Sequence, residues 1–190
     1  KILSFSSPGG VAFRPLNLHE IIDHVILLQK DNVKDKGIYF LKSYDPSIPP
    51  VIGDKDGLIQ VFLNIIKNSV EATHKGGKIS VSTRVLPDSL LVGSQGRPRN
   101  IVAIEIEDEG RGIAPEDMSK VFTPFYTNTA GGSGLGLPLA QNIIKGHSGL
   151  MEIKSEPGKG TKVSVLIPLT EGSTRNRRIG YEEGEYPHCR

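Results

Sequence analysis

Ile101-Val102-Ala103-Ile104-Glu105-Ile106-Glu107-Asp108-Glu109-Gly110-Arg111-Gly112 is the stretch from which the rest of the chain can be read. Ile101 to Glu107 alternates apolar and polar residues, the pattern of a strand with one buried face. Asp108 follows at the strand's end. An ionised carboxylate only accepts hydrogen bonds, so it can read a base that carries an exocyclic amine. Gly110 and Gly112 permit tight turns and the close approach of a flat base. Taken alone, the motif is equally an ordinary Asp-Glu-Gly turn.

Upstream, Asp54 can cap a helix running to about His74, although Gly57 weakens its first turn; Lys75-Gly76-Gly77 stops it. With Asn64 at zero and about 100° per residue, Lys67 falls at about 300°, Asn68 at about 40° and Glu71 at about 340°. Leu58, Val61, Phe62, Ile65 and Ala72 occupy the arc from about 60° to about 160°. The helix therefore has an apolar face and a compact polar face. A solvated surface would look the same, but here two amides flank a lysine. An amide oxygen can coordinate Mg²⁺, and a lysine can meet a phosphate as a point charge.

Downstream, Gly131-Gly132-Ser133-Gly134-Leu135-Gly136-Leu137 runs into a helix expected from about Gly136 to His147. A glycine cluster at a helix N-terminus is a candidate anion site, because free N–H groups and the helix dipole face the same point. It is neither the dinucleotide fingerprint of a βαβ unit nor a P-loop, since no Gly-Lys-Ser/Thr ends it. Residues 126–134 are expected to form a mobile loop.

Further out, Asn17 and Glu20 form a capping box for a helix over about 18–34. Ile38–Tyr44 and Ile79–Val85 read as strands, and Leu86–Asn100 as a long connector between strands. Pro115 opens a short helix ending near Phe122. Leu150–Ser155 and Thr161–Leu169 form a hairpin around Pro157-Gly158-Lys159-Gly160. Residues 1–13 look like a flexible lead-in, and 171–190 like a tail, tag or extension.

The chain has 190 residues and a formal net charge of +2, which gives no electrostatic argument for nucleic acid or an anionic membrane. Its single cysteine, Cys189, excludes a disulfide framework within one chain. No apolar run approaches the roughly 18 residues of a membrane span. The start at Lys1-Ile2-Leu3 reads as a cut inside a longer protein, and the expected compartment is cytoplasmic.

Four segments then fall in a familiar order. Asn64-Ile-Ile-Lys67-Asn68, Asp108-Glu-Gly110-Arg-Gly112, Val121-Phe122-Thr123-Pro124-Phe125-Tyr126 and Gly134-Leu135-Gly136-Leu137 resemble the N, G1, F and G2 boxes of sensor histidine kinases. Gly158-Lys-Gly160-Thr161 resembles the glycine turn that closes such domains. The likeness covers about residues 14–170. It implies the ATP-binding catalytic domain shared with gyrase, Hsp90 and MutL ATPases. The implied fold is a two-layer α/β (α+β) sandwich of the Bergerat type, with helices on one face of a mixed, mostly antiparallel sheet.

The resemblance assigns roles. Asn68 is the expected Mg²⁺ ligand, with Asn64 supporting the phosphate side and Lys67 on phosphate. Asp108 accepts from the adenine amine of ATP or ADP, with Gly110, Gly112, Ile113 and Thr161 around the base. Phe122 and Phe125 anchor a lid from Tyr126 to Ser133, and Phe125 is also expected beside the nucleotide. Thr127, Gly132, Ser133, Gly134, Leu135, Gly136 and Leu137 complete the nucleotide site. The connector and the segment around Phe122 look most like nitrogen-regulation kinases of the NtrB type. That implies a separate dimerisation and phosphoacceptor domain, a response regulator and a PII-type signal protein as partners. The fragment alone is expected to be a monomer.

Two departures qualify this. The position four before the metal asparagine, glutamate in the gyrase and Hsp90 branch, is Asn64, which cannot act as a general base. The lid residues Thr127-Asn128-Thr129-Ala130 contain no Lys or Arg, so a lid contact to the terminal phosphate is in doubt. His19-Glu20 looks like a phosphoacceptor pair but sits in the first helix of the nucleotide domain. The acceptor histidine is therefore expected outside this chain.

Overall fold

The computed structural model describes residues 12–89, 99–127 and 132–169. The lead-in through residue 11, the connector over 90–98, the lid tip at 128–131 and the tail from 170 lie outside the described residues.

The chain opens with β1 (Arg14–Leu16) and α1 (Leu18–Leu28). Asn17 caps α1 through Oδ1, which accepts from the N–H of His19 and Glu20, while its Nδ2 donates to Glu20 Oε1 at 3.1 Å. The helix expected to continue to residue 34 instead breaks at Gln29, whose N–H turns back to Ile26. A second helix, α2 (Lys30–Lys36), follows and ends at Gly37 in the left-handed conformation (φ +62°). It has no buried residue. Without an apolar stripe nothing obliges Lys30–Lys36 to extend the axis of α1.

Next come β2 (Tyr39–Ser43), β3 (Val51–Gly53) and α3 (Lys55–Ala72). Pairing of β1 with β3 was not expected, because each strand has only three residues and Pro15 sits in one. Phe13, read as lead-in, packs its ring against His147 at 4.9 Å. The Asp54 cap holds as read, its side chain accepting from Asp56.

β4 (Lys78–Ser89) and β5 (Arg99–Asp108) are antiparallel, and pairing resumes at Ser89–Arg99 after a register shift past Leu86. The expected connector is thus shortened at both ends by strand. α4 (Pro115–Met118) stops a turn before Phe122, and α5 (Gly136–Gly146), β6 (Leu150–Glu156) and β7 (Gly160–Pro168) complete the described chain.

The main sheet has the order β2-β4-β5-β7-β6, antiparallel except for β2 beside β4. One face is apolar: Ile79 and Val81, then Val102, Ile104 and Ile106, then Val163, Val165 and Ile167 join the core built by Leu18, Ile22, Phe62, Ile65 and Ile144. Helices α1, α3 and α5 therefore cover this face. The other face carries charge around Glu105, bridged by Arg84 at 2.9 Å and Lys162 at 3.1 Å, and buries Ile101 and Ala103 toward the start of β5. This is the expected two-layer sandwich with a mixed, mostly antiparallel sheet. Fully burying each large aliphatic or aromatic side chain contributes roughly 1.5–3 kcal/mol, so the helical layer rests on this face.

Candidate nucleotide-binding site

Asp108 ends the central strand, paired with Ile79 on one side and Thr161 on the other. It shares the parity of Val102, Ile104 and Ile106, so its carboxylate points into the layer between sheet and helices. The residue is 3% exposed. Oδ1 accepts from the N–H of Gly110 at 3.0 Å and of Thr161 at 3.3 Å, and the Ser69 hydroxyl bonds the carboxylate as well. Burial holds its pKa above the usual carboxylate value, against the pull of those donors; the charge of Glu107 adds to the rise.

The loop after Asp108 is strapped on both sides. Arg111 N–H bonds Ala72 O at 3.2 Å, and Gly158 N–H bonds Arg111 O at 2.8 Å. A Cβ at Gly110 would lie 2.7 Å from the Ala72 carbonyl. Gly112 has φ +69°, and a Cβ there would overlap the Glu156 carbonyl. Ile113 N–H reaches Ser155 Oγ at 2.9 Å.

On α3, Lys67 and Asn68 are exposed, with Lys67 3.8 Å from Glu71. Asn64 is half-buried: Nδ2 donates to Gly136 O at 3.0 Å and Oδ1 accepts from Gln60 at 3.3 Å. Its amide thus ties α3 to the first residue of α5. Gly134 (φ +67°) accepts from the Phe125 N–H at 3.0 Å, so the two ends of the lid segment are joined by backbone. A side chain at Gly134 would overlap Phe125 and approach Tyr126.

These residues enclose a cavity of about 770 Å³. Asp108, Gly112, Ile113 and Thr161 line one end. Asn64, Lys67 and Asn68 line the α3 side, and Thr127, Gly132, Ser133, Gly134, Gly136 and Leu137 the side of the lid segment. Three expected residues do not line it. Gly110 serves packing against Ala72. Phe125 has a positive φ (+67°) that turns its side chain outward, and it is 76% exposed; Phe122 alone packs on the core. Leu135 is 42% exposed and engages Ser133 through its backbone N–H.

Sequence reading missed Ser69, Arg111, Asp117 and Tyr126 as lining residues. Ser69 had a signal: it sits at about 140° from Asn64 on α3, a hydroxyl inside the apolar arc. His19 is not among the lining residues; its ring stacks on Tyr44 at 4.5 Å, and Nε2 is 2.9 Å from Thr83 Oγ1. Burial lowers its pKa, opposed by Asp23 and Asp45.

A sheet whose central strand ends in a buried carboxylate, facing a helix with a polar amide edge across a cavity, defines a nucleotide-binding domain class. The chain belongs to the histidine kinase-, DNA gyrase B-, and HSP90-like ATPase family, whose model matches residues 53–171. Within it, this is an ATP-binding catalytic domain of the histidine kinase kind. It is 38% identical over 184 residues to the sensory histidine kinase/phosphatase NtrB of Rhizobium meliloti (strain 1021), covering 95% of this chain and 48% of the relative. It is 34% identical over 174 residues to sporulation kinase C of Bacillus subtilis (strain 168), covering 91% and 38%. The chain thus spans about half or less of these relatives. The catalytic domain of histidine kinase ThkA superposes with a TM-score of 0.69 at 27% identity, over 83% of this chain and 95% of that one. ThkA in complex with the response regulator TrrA gives 0.65 at 26%, over 83% and 42%. Among the described residues, no helix is long and apolar enough to cross a membrane.

Proposed function

We propose that this domain binds Mg-ATP and presents its terminal phosphoryl group to a histidine on a dimerisation domain elsewhere in the protein. The observation that carries this is Asp108: a buried acceptor at one end of a cavity whose α3 side carries Lys67 and Asn68. In this reading Asp108 accepts from the adenine amine. Ile113 and Leu137 are apolar side chains on the cavity wall that can flank the base. Lys67 neutralises phosphate charge, and Asn68 offers an amide oxygen to the metal. No group of three or more His, Cys, Asp or Glu able to hold a metal occurs among the described residues. A single amide ligand suits Mg²⁺, which keeps several waters and takes phosphate oxygens. When bound, Mg²⁺ would offset charge on the phosphates. Gly132, Gly134 and Gly136 leave backbone N–H groups beside the same space, in keeping with a reaction governed by positioning and electrostatics.

Asn64 favours transfer to an acceptor over hydrolysis. It is not a base, and its amide is held by Gly136 and Gln60. The acceptor domain, a response regulator and regulation by nitrogen status belong to the same proposal, the last supported by the NtrB likeness beside that to a sporulation kinase. A PII-type protein is the corresponding regulator. A Mg²⁺-dependent ATP titration of the chain and of Asp108→Ala tests the core claim. Binding by the parent and its loss in the variant are expected; no binding by the parent refutes it. Phosphotransfer to an added acceptor domain tests catalysis, and an NtrB-type regulator against a sporulation-type one tests the pathway.

A further inference from the structure

Gln60 stands one turn before Asn64 on α3, at about 320° with Asn64 at zero, and so on the polar face. It is half-buried and is not among the residues lining the cavity. Its Nε2 donates to Asn64 Oδ1 at 3.3 Å, and Asn64 Nδ2 donates to Gly136 O at 3.0 Å. Gly136 opens α5, and a Cβ there would lie 3.2 Å from Asn64 Oδ1, so glycine lets the amide lie against the chain. The same two helices are joined at Asp54 and His147, where α3 begins and α5 ends. The contact of Asn64 with Gly136 is therefore the joint at the cavity end of α5.

Donor and acceptor chemistry fixes how this joint is set. Gly136 O can only accept, so the Asn64 atom facing it must be Nδ2. The same planar amide then presents Oδ1 to Gln60. Oδ1 can only accept, so the Gln60 atom facing it must be the Nε2 donor. Gln60 thus decides which way round the Asn64 amide lies. Without a donor at position 60 the amide is free to flip, and its oxygen then meets the Gly136 carbonyl. With a carboxylate at position 60, either orientation leaves one acceptor facing another.

We infer that Gln60 is a positioning residue: by fixing the orientation of the Asn64 amide, it ties Gly136 and the glycine segment leading into α5 to the polar edge of α3. Gly134, two residues earlier, accepts from the Phe125 N–H, so the segment held at Gly136 is also the one that joins the two ends of the lid. The joint itself needs no nucleotide. Its use rests on the reading of this side of the cavity as the phosphate side, where catalysis depends on groups held in place.

The test is amide hydrogen exchange of the chain without nucleotide, read at Leu139, whose N–H bonds Leu135 O in the first turn of α5, with the amides of β5 as the control for global folding. Gln60→Glu, nearly the same shape, is expected to speed exchange at Leu139 by about tenfold, and Gln60→Met by about threefold, the range of one hydrogen bond lost or left unoriented. Gln60→Lys keeps a donor and is expected to stay within about twofold of the parent. A packing role alone would make Gln60→Met at least as damaging as Gln60→Glu, so that order, or no effect of Gln60→Glu, overturns the inference. Loosening by Gln60→Lys equal to that by Gln60→Glu overturns it as well. In an Asn64→Ala background Gln60→Glu is expected to change exchange less than about twofold, since one residue acts through the other; persistence of the full effect counts against it. Calorimetric titration with Mg-ATP tests the use of the joint. Gln60→Met adds no charge and is expected to bind about threefold more weakly; unchanged affinity removes the positioning role. Failure of the parent to bind ATP refutes the phosphate reading, while the exchange result on the empty chain is decided separately.

Discussion

Asp108, Thr161 and Ser155 all stand where strand alternation would place apolar side chains, and with Ser69 from α3 they form the polar end of the hydrophobic layer. The cavity floor is thus the core continued in polar residues. Asp108 carries the cost of that position. Its folded pKa is raised, so protonation favours the fold. The stabilisation linked to this group is full below the unfolded carboxylate pKa and is lost as pH rises through the folded value. Asn at this position keeps an oxygen for the Gly110 and Thr161 N–H groups but carries no charge. Asp108→Asn is therefore expected to melt above the parent near pH 8, with the gap closing on acidification, in thermal scans across pH. The same variant is expected to lose ATP affinity by about tenfold or more, since its free amide atom donates where the adenine amine also donates. Gly112→Ala meets both a positive φ and the Glu156 carbonyl. It is expected to cost more than about 1 kcal/mol in urea unfolding and to weaken nucleotide binding.

At the scale of elements, α3 carries both the core contacts and the polar edge of the cavity, so its ends matter. Its C-terminal carbonyls are capped from outside the helix: Lys36 Nζ donates to Val70 O at 2.8 Å, Glu71 O at 2.9 Å and Thr73 O at 3.2 Å. A cation at a helix C-terminus also opposes the helix dipole. Lys36→Met should lower stability by about 1–2 kcal/mol, seen as a lower urea midpoint with unchanged slope. At the N-terminus, Gly57 looked like a weakness in sequence. A Cβ there would lie 2.5 Å from the Asp54 carboxylate and 3.1 Å from Ile143 of α5, so glycine allows the cap and the α3–α5 packing together. His147 joins the same two helices, accepting from Asp54 N–H at 2.9 Å through Nε2 and donating from Nδ1 to Ile143 O at 2.8 Å.

Across the whole molecule, the small sheet of β1 and β3 closes one side of the helical layer. Leu16 and Val51 join the core, and Phe13 lies on the His147 ring that links α3 and α5. Removal of residues 1–16 is expected to lower the melting temperature, because it strips β3 of its partner and uncovers Val51. ATP affinity should fall less than stability, since none of the described residues 12–16 lines the cavity. Nucleotide titration of the truncated chain beside the parent, with melting curves of both, separates the two effects.

What local order could express was legible in the sequence. The Asp54 and Asn17 caps, the amphipathic α3, the alternation of β5 and the β6–β7 hairpin each depend on neighbours a few residues apart. The ordered boxes told which face of α3 and which strand end belong together. Tertiary structure decided the rest. The break at Gln29 and the pairing of β1 with β3 depend on partners distant in sequence, for which three-residue strands and a polar helix carry no periodic signal. Phe125 and Phe122 look equivalent in the sequence, and only the backbone at Phe125 turns one of them outward. Ser155 and Ser69 stand at positions whose spacing calls for apolar side chains, but which carbonyl, N–H or carboxylate elsewhere in the chain each one meets leaves no trace in spacing. Hydrophobic periodicity assigned faces; it took the packed layers to show which polar atoms meet where those faces end.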